Sequence, residues 1–208
     1  MSVRSNSSRD RLLQTAESLI LQQGFAGTSI DHILEKAAIT KGGFFYHFKG
    51  KGELAKALVL RYLEGDSQIF DDLFARSRSL SEDPLHQLLI FLNLFAEMMN
   101  NLEETHPGCL VAGFTYETQQ FDDEVRDLIR QGVLAWRELI SAQLAEIEQV
   151  YTPRQETRPE TLADMFTAIV EGGIILSRIF QTNDRLRDQI LAYRDYLRLL
   201  YESNPRAT

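Results

Sequence analysis

Between Thr28 and Lys51 the chain reads TSIDHILEKAAITKGGFFYHFKGK. Its hydroxyl, ammonium and imidazole groups are of the kind that hold phosphate. Thr28, Ser29, Thr40, Lys41, Tyr46, His47 and Lys51 can each donate a hydrogen bond to a phosphate oxygen, and the two lysines add positive charge. Gly42, Gly43 and Phe44 stand among them. A glycine lets backbone approach a base edge closely, and an aromatic edge can meet a thymine methyl. The chemistry on offer is recognition of double-stranded DNA rather than bond-making.

Enzymatic alternatives find little support. The histidines at 32, 47, 86 and 106 form no H-E-x-x-H pair, no cluster with the single cysteine and no triad-like set. Neither a G-x-x-x-x-G-K-[ST] loop nor a G-x-G-x-x-G turn occurs. Glu103-Glu104 and Asp122-Asp123 lie beside chain breaks and read as solvated helix ends or caps. The expectation is a protein that is not an enzyme, with no cofactor and no metal.

A second group of residues could hold a small molecule. Phe91, Phe95, Met98, Phe114, Tyr116 and Trp136 are apolar or aromatic, and His106 and Cys109 are polar groups among them. Apolar walls with few polar groups describe a ligand pocket, and they describe a plain helical core equally well. Cys109 has two readings of its own. After Pro107-Gly108 it falls in the first turn of a helix, where the dipole and unpaired N–H groups favour a thiolate that electrophiles or oxidants would attack. Otherwise it is an inert small hydrophobe.

The elements that must position these groups are helical. Thr28 or Ser29 can cap a short helix whose buried face is Ile30, Ile33, Leu34 and Ala37, with Asp31 as a short capping-box partner of Thr28. Ala38-Ile39 is a tight turn, and Thr40 caps the second short helix. Helix, turn and helix is the arrangement that places a helix in the major groove. Before it, residues 8–23 carry the stripe Leu12, Leu13, Ala16, Leu19 and Ile20, and Gly24 ends that helix. After it, a fourth helix runs from Lys51 to about residue 75, and Asp83-Pro84 starts a fifth. Further helices are expected over 109–117, 121–150 and 161–181, with a last one beyond 185. The fold expected is all-α, about nine helices. Residues 1–52 form a three-helix reader, a linker helix spans about 51–76, and 53–208 form a body for ligand binding and dimerisation.

Charge supports that division. The whole chain has net charge −8, which by itself argues against nucleic acid. Residues 1–61 nevertheless hold nine basic and five acidic side chains, and the rest hold thirteen basic and twenty-five acidic. A basic module on an acidic body suits a protein that applies one end to a polyanion. The polar start MSVRSNSSRDR has no apolar segment of a signal peptide, no run of eighteen apolar residues occurs, and one cysteine makes no internal disulfide. These point to a cytoplasmic protein.

At Gly24-Phe25, Thr28-Ser29, Ile30 to Ala37, Lys41 to Phe48 and Lys51 the chain resembles the TetR family of bacterial transcriptional regulators. The likeness covers about residues 8–60. It departs from the pattern at Gly43, where Thr, Ser or Ala is usual, and at Phe45, where Tyr is usual. The resemblance implies a homodimer on a palindromic operator, most simply a repressor, released by a small-molecule effector bound among the middle helices. It also implies that the last two helices pair with their copies. Phe166, Val170, Gly173 and Ile174 in one, and Leu186, Ile190, Tyr193, Leu197 and Leu200 in the other, supply candidate seams, the latter at 4-3-4-3 spacing. The alternative reading of the same stripes is that they simply close the monomer core. The competing reading of the whole chain is a small-molecule-binding helical protein or enzyme whose N-terminal helices do not read DNA.

Overall fold

The computed structural model describes residues 7–201. Among them the regular structure is helical throughout: α1 (Ser8–Gln23), α2 (Ile30–Ala37), α3 (Lys41–His47), α4 (Lys51–Leu80), α5 (Pro84–Asn100), α6 (Leu110–Tyr116), α7 (Asp123–Val150), α8 (Pro159–Phe180) and α9 (Asp184–Tyr201). A single 3-10 turn, Thr118–Gln120, follows α6.

Short polar side chains start these helices by taking backbone N–H groups that no turn precedes to satisfy. Ser7 accepts from Asp10, Ser29 from His32, Thr40 from Gly43 and Asp83 from His86. Each such cap contributes about 1 kcal/mol. Ser29 therefore caps α2, and Thr28 does not. Gly24 stops α1 at φ 80° and ψ 163°, a conformation open to glycine and costly for other residues. Ala38 takes a left-handed conformation, φ 53° and ψ 47°, and turns the chain sharply between α2 and α3.

Several boundaries differ from expectation by a few residues, among them the start of α7 at Asp123 and the bounds of α8, Pro159–Phe180. The fourth helix runs past residue 75 to Leu80, and the serines in its last turns bond back to their own helix. Ser77 donates to the Phe74 carbonyl and Ser79 to that of Arg76. The sixth helix starts at Leu110, which makes Cys109 its N-cap.

The chain forms two compact units. The first takes the residues up to Gly65 together with Pro107–Gly132, so α6 and the start of α7 belong with the three N-terminal helices. Its core holds Leu12, Leu13, Ala16, Ile33, Phe44, Leu54, Leu58, Leu110 and Phe114. The second unit takes Asp66–His106 and the residues from Val133 onward. There α9 packs against both α5 and α8. Phe70, Phe74, Phe91, Phe95, Phe166 and Tyr193 form a continuous aromatic interior. The Tyr193 hydroxyl is satisfied by the Leu162 carbonyl at 2.8 Å.

This packing corrects the expected dimer seam. Leu186, Ile190, Tyr193, Leu197 and Leu200 are all buried within one chain, as are Phe166, Val170, Gly173 and Ile174. Gly173 sits so close to α9 that a Cβ there would lie 2.8 Å from Leu186 Cδ1. The 4-3-4-3 stripe is the face that α9 turns to its own core. The outward apolar residues are different ones: Met165, Ile175, Ile179 and Phe180 on α8, and Leu199 on α9.

Candidate nucleic-acid interface

Seven residues make α3, and helical geometry divides them into two faces. Phe44 points inward and is fully buried, its ring meeting Phe45 and, just past the helix, Phe48. Lys41 and Phe45, and likewise Gly42 and Tyr46, are four residues apart and so lie together on the opposite side. All four are exposed, and Tyr46 is 84% exposed. The buried ring of Phe44 anchors α3. It leaves an outward strip of one ammonium, one phenol, one apolar ring and one bare backbone position. Gly43 belongs to the crowded side: a Cβ there would stand 2.9 Å from Ile39 Cγ2 and 3.4 Å from Thr40 Oγ1.

The structure sorts the expected DNA contacts. Ser29, Thr40, Lys41, Gly42 and Tyr46 are exposed, and Gly43 is partly so. Phe44 is corrected: an enclosed ring cannot reach a base. Thr28 is corrected as well, being wholly buried with its hydroxyl donating to the Gly24 carbonyl at 2.8 Å. His47 is half-buried, and its Nε2 lies 2.6 Å from Ser8 Oγ, a bond that ties the end of α3 to the start of α1. Lys51 turns inward. Its ammonium donates to the Phe25 carbonyl and lies 4.1 Å from the centre of the Phe25 ring. Burial draws the Lys51 pKa below the ordinary lysine value, and the negative charge of Glu117 opposes that. Lys51 thus anchors the loop after α1. Phe45 is the residue that sequence reasoning passed over, although its place four residues after Lys41 put it on the outward face.

The expected ligand residues do not form one group. Phe91, Phe95, Met98, His106 and Trp136 belong to the second unit, whereas Cys109, Phe114 and Tyr116 belong to the first. Phe114 is buried against Phe25 and Phe121, and Tyr116 is 83% exposed. Neither joins the aromatic interior, in which Trp136 lies 5.0 Å from Phe70 between ring centres. His106 is largely enclosed, and its backbone N–H donates to Asn183 Oδ1. Burial holds its imidazole below the ordinary pKa, with the Arg178 charge acting in the same direction. Cys109 Sγ accepts the Ala112 N–H at 3.4 Å and the Tyr62 hydroxyl at 3.3 Å.

Among the described residues no group of three or more His, Cys, Asp or Glu side chains could hold a metal ion. No helix there is long and apolar enough to cross a membrane.

Comparison with known proteins adds independent support. The profile of bacterial regulatory proteins of the tetR family matches residues 12–58, and that of the tetracyclin repressor-like C-terminal domain matches 84–193. The HTH-type transcriptional repressor DhaR of Mycobacterium sp. (strain GP1) is 27% identical over 187 residues, 88% of each chain. The HTH-type transcriptional repressor NemR of Escherichia coli (strain K12) is 25% identical over 138 residues, covering 65% of this chain and 66% of its own. Among solved structures, a regulatory protein TetR from Rhodobacter sphaeroides superposes with a TM-score of 0.75 at 22% identity, over 91% of this chain and 98% of that one. The reduced form of E. coli NemR gives 0.74 at 21% identity, over 96% and 99%. With a capped reading helix at residues 41–47 and both halves of the family profile matched, this chain belongs to the TetR family and is a helix-turn-helix transcriptional regulator.

Proposed function

We propose that this regulator is a repressor that binds a palindromic operator as a homodimer and is released by a small-molecule effector. The observation that carries the reading is the outward strip of α3, with Lys41, Gly42, Phe45 and Tyr46 exposed over a buried Phe44. Lys41, Ser29, Thr40 and Tyr46 are the phosphate contacts in this scheme, and Gly42 and Phe45 face the base edges. Repression rather than activation is the direction suggested by the relatives named as repressors.

The second copy meets the first through the outward stripe of α8. Met165, Ala168, Gly172, Ile175 and Ile179 recur at 3-4-3-4 spacing, with small residues at its middle where two helices could approach closely. Two-fold symmetry would set the reading helices about 34–36 Å apart, one turn of DNA, or a multiple of it. The aromatic interior around Phe70, Phe91, Phe95, Trp136 and Phe166 favours an apolar, aromatic effector. Such a ligand releases DNA only if it binds the DNA-free arrangement more tightly. The helices α4 and α7 each run unbroken from one unit into the other, which makes them the covalent route for that signal.

The test is a titration of the protein against DNA from the promoter of its own gene, with an unrelated fragment as competitor. Saturable binding that survives the competitor, and that Tyr46→Ala weakens without loss of helix content, supports the reading. Equal affinity for both fragments, or none, would leave the rival description, a helical small-molecule binder that does not read DNA.

A further inference from the structure

We propose that Glu117 is a positioning residue for DNA binding: its carboxylate fixes the loop between α1 and α2 and so makes the reading helices depend on α6. The proposal rests on the DNA-binding role argued above and adds to it a specific device. Glu117 is the C-cap residue of α6 and lies 92 residues along the chain from the loop it holds. Its Oε1 accepts the Phe25 N–H and its Oε2 accepts the Ala26 N–H, both at 2.7 Å. Two successive amides thus share one carboxylate, each with its own oxygen. This geometry suits an anion and gives short, strong bonds.

Three further features are built around that pair. At Gly24, the residue before it, a Cβ would stand 2.9 Å from Glu117 Oε1, so a side chain there would push the carboxylate off the Phe25 amide. Lys51 takes the carbonyl of Phe25 on the other side, so the peptide groups of the loop are held by a carboxylate and an ammonium of opposite charge. Phe25 then packs between Phe114 of α6, at 5.4 Å between ring centres, and Phe121, at 4.7 Å. The other end of α6 is held as well, since the Tyr62 hydroxyl of α4 donates to the Cys109 cap.

The loop so clamped leads directly into Ser29, the N-cap of α2. Its position governs where α2 and α3 stand relative to α1. The carboxylate comes from the region that matches the C-terminal family profile, and the amides come from the region that matches the reader profile. A displacement of α6 that withdraws Glu117 would free both amides together and loosen the reader, without any change in the residues that touch DNA.

The experiment uses the full chain as wild type, Glu117→Ala and Glu117→Gln. Three quantities are read: affinity for the promoter fragment, its dependence on salt, and amide hydrogen exchange at Phe25 and Ala26. For Glu117→Ala we expect about a tenfold loss of affinity, equal to about 1.4 kcal/mol. The slope of log K against log salt should stay unchanged, because no phosphate contact is lost. The two amides should exchange faster while helix content is retained. Glu117→Gln keeps one acceptor oxygen and should fall between wild type and Glu117→Ala. It also decides the matter if Glu117→Ala does not fold. A folded variant that binds as tightly as wild type, or whose Phe25 and Ala26 amides remain protected, overturns the proposal. A changed salt slope would place Glu117 in the electrostatic interface instead and overturn it too. If wild type itself binds no DNA, the functional reading fails first and this proposal falls with it.

Discussion

Ile179→Glu should separate the subunits without unfolding them, and Leu197→Glu should do the reverse. Ile179 is 66% exposed on the outward face of α8, and Leu197 is 0% exposed inside α9's own packing. Complete burial of an isoleucine is worth about 1.5–3 kcal/mol, so covering the exposed two-thirds on dimerisation contributes about 1–2 kcal/mol per copy. A two-fold interface counts each residue twice, which gives about 2–4 kcal/mol for the pair, or a rise of about 30- to 700-fold in the dimer dissociation constant. Two glutamates brought together would add repulsion. In the separated subunit the cost is small, because glutamate is a good helix former in a solvated position. Leu197→Glu instead removes a fully buried side chain, a loss of about 2–5 kcal/mol, and places a carboxylate among apolar groups. Against a total stability of about 5–15 kcal/mol, that is enough to lower the melting temperature sharply. Sedimentation velocity over a range of concentrations, with thermal melts followed by circular dichroism, reads both outcomes. If Ile179→Glu sediments as wild type does, the outward stripe of α8 is not the dimer face. If Leu197→Glu gives a well-folded monomer of unaltered melting temperature, the burial argument for α9 is refuted.

Two other outcomes can be measured alongside. Lys41→Ala should reduce the salt slope of DNA binding by about one unit, because an exposed lysine releases a counterion when it meets phosphate, whereas Lys51→Ala should lower stability and alter the slope less. His106 makes stability depend on pH: its folded pKa lies below its unfolded value, so the unfolded chain binds the extra proton and stability is lost as pH falls below about 6.5. His106→Gln should flatten that acid-side loss in urea unfolding measured across about pH 5–7.5, a window that spans the ordinary histidine pKa.

Much of the reader was legible in the chain itself. The cap Thr40, an α2 cap at Thr28 or Ser29 (Ser29 in the structure), the turn at Ala38 and the stop at Gly24 are local features, set by which residues can satisfy or twist the backbone within a few positions. The all-helical class followed from the same periodicities. What periodicity could not tell was which partner each apolar stripe meets. Leu186, Ile190, Tyr193, Leu197 and Leu200 have the spacing of a helix seam whether the neighbour is α5, α8 or another copy of the chain. The aromatic residues between Phe91 and Trp136 are close in sequence but divide between two units, because α6 packs with the N-terminal helices.

Phe44, Thr28 and Lys51 make the same point within the reader. Each is of a type that could face DNA, and each is turned inward: Phe44 by packing, Thr28 by burial and a carbonyl four residues back, Lys51 by a carbonyl 26 residues away. Residue type and short-range spacing alone determined the helices, their ends to within a few residues, the basic reader and the class of polymer it addresses, because those depend on interactions across a turn or two. Only the tertiary structure decided which side of each helix is outward and that the Glu117 carboxylate closes on the Phe25 and Ala26 amides, since burial and contacts spanning 92 residues are properties of the packed chain.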